Sequence, residues 1–342
     1  MNNKPDVSVI MCFFNTPSDY FVQSADSILK QTFKNFEFII INDGSCSEPD
    51  FDFTCDDRII YIKNDTNKGI SYSRNLGLSM AKGKYIAIMD SDDIAFPTRL
   101  EEQFNYMESH PNVAVCGTWF EQFGEKNNYC KRVIDSSGIY KACLLFGNEP
   151  TILDPSTMLR KSILDLCNFK YKEELKIGLD YFAWVILSEY GEITNLKKVL
   201  MKYRIHKAQI TAEFRNKNTS FGWFVKEYQL NKLGIIPTEK EKEMMCSSLT
   251  NANYSLLDYK TMLDSILSHN RNTNYFDQSS LEEVVRRQWH KKILHSKSIK
   301  YLSRGVKEIK GEKATILKIS LRHFNPFMKD KSAVKKTKKG VR

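Results

Sequence analysis

The first 120 residues alternate between apolar runs of strand length and segments with helical spacing. The runs are "VSVIMCFF" (7–14), "FEFIIIND" (36–43), "RIIYIKN" (58–64), "KYIAIMD" (84–90) and "NVAVCGTWF" (112–120). Between them, Phe21, Ala25, Ile28 and Leu29 fall on one helical face, and "GISYSRNLGLSMAKG" (69–83) reads as a helix with Gly77 and Ala81 as its smooth packing side. Leu100, Phe104 and Met107 mark a third helix. Strands that are apolar at nearly every position need cover on both faces, and the intervening helices supply it. The expected fold class is α/β, with a mostly parallel sheet and helices on both faces.

In such sheets ligands sit beyond the carboxyl ends of the strands. Those ends hold Phe14 and Asn15, Asn42 and Asp43, and Asp90 to Asp93. Three carboxylates in four residues repel one another, and each loses hydration on leaving water. A divalent cation would offset that repulsion, since hard carboxylate oxygens suit Mg²⁺ or Mn²⁺. A solvated acidic turn before Pro97 is the plainer account. The carboxylate of Asp43 could accept from the N–H of a nucleotide base, or Asp43-Gly44 is simply a turn. Arg74 offers a planar fork to a diphosphate, or lies in solvent. Asp180, in the first turn of an apolar helix, is a general-base candidate or a dipole partner. His206 follows a strand-like segment beside Arg204 and is a ligand or a structural histidine.

The chain of 342 residues carries a net charge of +10, unevenly placed. From Lys297 to Arg342 there are fifteen Lys/Arg and three acids, a net of +12, so residues 1–296 carry −2 by subtraction. The basicity belongs to the tail. With 42% hydrophobic residues a large core is available, and no apolar run is long enough to span a bilayer. The N-terminus has no signal-peptide core, so a cytoplasmic location is expected. None of the eight cysteines pairs as C-x-x-C, which points to reduced, packed thiols. Beyond residue 218 helices dominate. One carries Leu281, Val284, Val285, Trp289 and Ile293 at helical spacing, and another Ile299, Leu302, Val306 and Ile309.

Taken in order, "VSVIMCFFN", "NDGS", "SRN", "MDSDD", "DPSTMLRKSIL", "LDYFAWVIL" and "YRIHK" resemble the family 2 inverting glycosyltransferases of GT-A fold, of the bacterial capsule, O-antigen and lipopolysaccharide type. The resemblance covers residues 6 to about 211. It implies that Asp43 contacts the nucleotide base, that Arg74 lies near base and diphosphate, and that Asp90 lies near the ribose and metal. It implies Asp92 as the metal ligand, Ser91 between them in the donor site, Asp180 as the base, and His206 near the metal or diphosphate. Asp93 orients the turn. Cys12 stands where Pro or Ser is common, followed by Phe13 and Phe14, with Phe13 a candidate aromatic wall for the base. Leu179 stands where a Glu usually precedes the catalytic Asp, which removes a supporting carboxylate. "RRQW" (286–289) does not reproduce the Q-x-x-R-W of processive synthases, so transfer of single sugars is expected.

The resemblance implies a Mn²⁺- or Mg²⁺-dependent enzyme with a nucleotide-sugar donor, UDP-linked, and a saccharide or lipid-linked saccharide acceptor. Residues 1–215 would form the GT-A domain, 216–328 a helical extension and 329–342 a basic disordered tail. Residues 297–342 would meet an anionic membrane surface at the inner face of the cell membrane. No nucleic acid is expected, because the body is near neutral. The alternatives are a non-enzymatic basic nucleic-acid- or membrane-binding protein and an inactive glycosyltransferase-like scaffold. A sugar-1-phosphate nucleotidyltransferase is disfavoured, because "CFFNTPSDYF" lacks a glycine-rich loop.

Overall fold

The computed structural model describes residues 4–125, 129–131, 137–147, 152–175, 178–206, 222–246 and 254–295. Strands β1 (Val7–Phe13), β2 (Phe36–Asn42), β3 (Ile59–Lys63) and β4 (Tyr85–Asp90) are joined through helices α1 (Ser18–Leu29) and α2 (Ile70–Met80). They pair in parallel in the order β3-β2-β1-β4. Alternate residues then part to opposite faces, as a two-residue period requires. Ile10, Ile39, Ile41, Ile86 and Ile88 enter one core, and Val9, Met11, Phe38, Ile40 and Met89 the other. All of these side chains are at most 1% exposed. Burying one such side chain contributes about 1.5–3 kcal/mol, so the sheet centre carries much of the stability.

Helix α1 covers the second face with Phe21, Ala25 and Ile28, joined by Leu100 and Met107 of α3 (Arg99–Ser109). Helix α2 covers the first. A Cβ at Gly77 would stand 2.7 Å from Ile10 Cγ2, so the glycine sets how closely α2 approaches β1.

The second half of the sheet is mixed. Strand β8 (Met158–Arg160) inserts antiparallel between β4 and β6 (Val113–Gly124). Long β9 (Glu192–Ile205) runs parallel to β6, and two-residue β5 (Ile94–Ala95) closes the order antiparallel to β9. Strand β7 (Tyr129–Lys131) pairs with β6 off this path. The parallel pattern read from the first hundred residues therefore describes β1 to β4. The β6–β9 half uses long connections through α4 (Ser137–Phe146), α5 (Lys161–Leu166) and α6 (Leu179–Leu187).

Helix α4 has two apolar sides. Tyr140 and Leu144 enter the sheet core, while Ala142, Cys143, Leu145 and Phe146 enter a third core. That core is completed by α7 (Trp223–Lys232), α8 (Glu239–Cys246), α9 (Leu256–Thr273) and α10 (Gln278–His295). The expected helix is present as α10, with Leu281, Val284 and Val285 buried. Ser255 and Asp258 start α9 with a reciprocal capping box. The boundary at 215/216, the helix with Ile299 and Leu302, and the basic tail lie outside the described residues. Among the described residues, no helix is long and apolar enough to cross a membrane. Cys12, Cys116 and Cys143 are buried, as expected of packed thiols, whereas Cys46 and Cys55 are exposed.

Candidate functional site

The register of the parallel half brings the strand ends together. Cys12 of β1 lies level with Ile41 of β2 and with Asp90 of β4, and Phe13 lies level with Asn42. The next residue of β2 is Asp43, which is 4% exposed. Its Oδ1 accepts from Asn64 Nδ2 at 2.8 Å and the Lys68 amide at 3.0 Å, and its Oδ2 accepts from the Gly69 amide at 2.9 Å. Gly44 makes this possible. Its φ is +75°, and a Cβ there would lie 2.4 Å from the Thr66 carbonyl carbon.

The acidic turn divides as its chemistry suggests. Oxygens of Asp90, Asp92 and Asp93 lie within 4.8 Å of one another. His206 Nε2, brought by the end of β9, stands 2.8 Å from Asp92 Oδ2. Its ring is also tilted against Tyr20, with centroids 5.4 Å apart. Asp93 is fully buried and accepts the Arg204 amide on Oδ1 at 2.8 Å, while its buried Oδ2 has no hydrogen-bond partner. Ser91 Oγ pairs with Thr16 Oγ1 at 2.8 Å, and the Asp90 carbonyl accepts from Ser24 Oγ at 2.8 Å. Burial pushes the Asp90 carboxyl up to about 7, with Asp154 and Asp92 adding and Arg74 opposing. Burial, then Asp92 and Asp90, also raise Asp93. These are clustered hard oxygens with one orphaned acceptor, and they fit a divalent cation such as Mg²⁺ or Mn²⁺.

Arg74 is not a solvated arginine. It is 5% exposed, and its Nη2 lies 2.5 Å from Asp154 Oδ2 and 3.2 Å from Asp90 Oδ1. Its guanidinium carbon stands 5.4 Å from the Tyr171 ring centre. Asn75 holds that neighbour in place, donating to the Tyr171 carbonyl at 2.9 Å and accepting the Tyr171 amide at 2.8 Å.

Asp180 lies in the first turn of α6, preceded by Gly178 at φ 73°. The N-cap itself is Gly178, which has no side chain, and first-turn amides at Asp180 and Tyr181 hydrogen-bond the Asp180 carboxylate, so its place as a partner of the helix start is real. Burial, then the charge of Asp154, push its carboxyl up to about 6. Leu179 packs against the sheet core beside it, which is the local reason an apolar residue suits that position.

One sequence expectation is corrected. Phe13 does not offer a wall to a ligand. It is 4% exposed and packs on Phe21 at 4.7 Å between ring centres, inside the α1-side core. Strand alternation turns Phe13 inward, and Phe14, 45% exposed, is the aromatic left open.

Two residues escaped the sequence reading. Asp154, in a 3-10 turn (Asp154–Ser156), reaches Arg74 across the sheet end. Arg204 ties β9 to the acidic turn, donating from Nε to the Asp92 carbonyl at 2.6 Å and from Nη2 to Gln23 Oε1 at 3.0 Å. An Asp before a Pro reads as turn chemistry, and an Arg beside a His has no local mark. The only available signal was their place in the "DPST" and "YRIH" strings.

Comparison with known proteins bears on this geometry. The pattern of glycosyl transferase family 2 matches residues 8–166, which include Asp43, Arg74, the acidic turn and Asp154. An uncharacterized glycosyltransferase of Methanocaldococcus jannaschii is 37% identical over 211 residues, 59% of this chain and 72% of that one. Another from Haemophilus influenzae is 31% identical over 254 residues, 69% of this chain and 77% of that one. Among solved structures, S. aureus TarS 1-349 in complex with UDP-GlcNAc aligns with TM-score 0.54 at 17% identity, covering 82% of this chain and 83% of that one. The same protein with UDP aligns at 0.52, covering 88% and 91%. That likeness shows a shared GT-A fold. The family pattern spans the segment in which the strand-end carboxylates lie, and the two relatives, above 30% identity, are matched over more than two thirds of their own length, so the chain is a glycosyltransferase belonging to family 2.

Proposed function

We infer that this glycosyltransferase moves a single sugar, with inversion, from a UDP-linked donor to a hydroxyl of a saccharide or lipid-linked saccharide in surface-polysaccharide synthesis. The observation that carries the reading is a cluster of carboxylates at the strand ends and a separate carboxylate on α6 that feels the same Arg74 and Asp154 charges. Asp90 and Asp92 cluster with His206, while Asp180 stands on another element with its carboxyl pushed up to about 6. The crystal structures of TarS with UDP and with UDP-GlcNAc support a uridine donor on this fold.

The residues divide the work. Asp43, held by three donors, presents a fixed carboxylate toward the base, with exposed Phe14 beside it. Asp90 and Asp92, with His206 in reach, would hold Mn²⁺ or Mg²⁺. When bound, the cation supplies positive charge to the diphosphate leaving group. Asp180 takes the proton of the acceptor hydroxyl, whose oxygen forms the new bond to the anomeric carbon. The bond from that carbon to the diphosphate breaks, and the nucleoside diphosphate leaves with the electron pair. One displacement inverts the centre. A base whose pKa sits near neutrality is matched to this task.

The test is a donor screen of UDP-, GDP- and dTDP-sugars with Mn²⁺, read as nucleotide release. Turnover confined to UDP-sugars is expected, and release from none of them sinks the reading. Residues 297–342 are proposed to hold the enzyme at an anionic leaflet, where each Lys or Arg contributes about 1 kcal/mol. Flotation with phosphatidylserine vesicles should fall when that segment is removed. Equal, salt-insensitive partitioning of both forms argues against it.

A further inference from the structure

Arg74 presents one nitrogen to two carboxylates. Its Nη2 is 2.5 Å from Asp154 Oδ2 and 3.2 Å from Asp90 Oδ1, so the shorter contact goes to the residue that is not in the acidic cluster. Asp154 is 9% exposed and its Oδ1 is buried without a hydrogen-bond partner, which leaves its charge directed at Arg74. Asp90, in contrast, is half-buried and shares the acidic cluster with Asp92 and Asp93. An arginine that closed fully on Asp90 would neutralise the very oxygens a cation needs.

We propose that Asp154 is a positioning residue that competes with Asp90 for Arg74 and so keeps the Asp90 carboxylate available to a divalent cation. Three elements set up the competition. Helix α2 delivers Arg74, the end of β4 delivers Asp90, and the 3-10 turn ahead of β8 delivers Asp154. That turn is anchored from both sides. The Ser156 amide donates to the Leu153 carbonyl at 2.9 Å, and Gln103 Nε2 donates to the Ser156 carbonyl at 2.9 Å. The charge of Asp154 also acts on the Asp180 carboxyl from a different part of the chain.

A purely structural Asp154 would only neutralise a buried guanidinium, and its loss would cost stability without touching the cation site. The two roles separate in Mn²⁺ titrations of the full chain without donor. Asp154→Asn keeps the shape and removes the charge. Its Mn²⁺ dissociation constant should rise about ten-fold, the scale of an outer-shell change. Arg74→Gln with Asp154→Asn removes the competitor as well, and affinity should return to within about threefold of wild type, a non-additive result. Arg74→Gln alone completes the cycle, and circular dichroism checks each fold. Where Asp154→Asn does not fold, Asp154→Glu keeps the charge and should retain near-wild-type affinity. An unchanged constant in folded Asp154→Asn, no recovery in the double variant, or a ten-fold loss in Asp154→Glu overturns the proposal. The inference rests on the cation site of the proposed function. Wild-type protein that binds no Mn²⁺ at millimolar concentration overturns both, whereas wild-type binding with an indifferent Asp154→Asn overturns this inference alone.

Discussion

The two halves of the sheet deliver their polar residues in different ways. In the parallel half, β3-β2-β1-β4, polar residues close the strands: Asp90 is the last residue of β4, and Asp43 follows Asn42 at the end of β2. In the mixed half, Asp154 arrives on a 3-10 turn, Asp180 on α6 and His206 at the end of β9. Parallel pairing in register brings neighbouring strand ends level, so they form a ledge at one edge of the sheet. The mixed half has no repeat. Its residues are placed by individual bonds, such as Arg204 to the Asp92 carbonyl and to the Asp93 carboxylate. The proposed function divides along the same line, with donor binding assigned to the ledge and proton transfer to the mixed half.

The sharpest way to break that division is Asp180→Asn. Transfer should fall about 10²–10⁴-fold with donor KM nearly unchanged, since only the general base is removed. Stability at neutral pH should not fall. A carboxyl whose folded pKa is raised from 3.8 to about 6 binds its proton more tightly folded than unfolded, so stability is lost as pH rises through that window. Removing the carboxyl removes that loss, and thermal melts at pH 5 and 7.5 check the sign. A rise in donor KM without loss of kcat would reverse the assignment of the two halves.

On the ledge, chelation is the parallel experiment. EDTA should abolish turnover, and Mn²⁺ or Mg²⁺ should restore it. Full activity after rigorous chelation removes Asp90 and Asp92 from the proposed role. Gly44→Ala is a milder probe of the same half. The positive φ and the close Thr66 backbone should cost about 1–3 kcal/mol and raise donor KM more than they lower kcat. A kcat defect with unchanged KM would count against donor binding on the ledge. The smallest effect is in pH. With Asp180 at about 6, kcat should be half-maximal near that pH and rise toward neutrality, because the base must be unprotonated. The titration should disappear from the residual activity of Asp180→Asn.

Much of the ledge was readable from residue order. Ile39, Ile40 and Ile41 can only be a strand covered twice, and Asp43 follows them. Gly77 was visible as a packing face and does meet β1. The inward turn of Phe13 was not, because a run apolar at every position hides which side each residue takes. Asp154 was hidden for another reason. Its partner Arg74 is eighty residues away in the chain, and no local pattern distinguishes it from a turn aspartate.

Sequence alone determined the covered strands, the strand-end carboxylates and the placement of positive charge outside the body, because periodicity, run length and charge are local quantities. Only the tertiary structure decided that β8 runs against β4, that Arg204 grips the acidic turn, and that Arg74 is shared between Asp90 and Asp154. Those facts depend on which distant segments pack side by side. Burial then makes each contact matter, since a charge removed from water must find its partner wherever the fold has brought one.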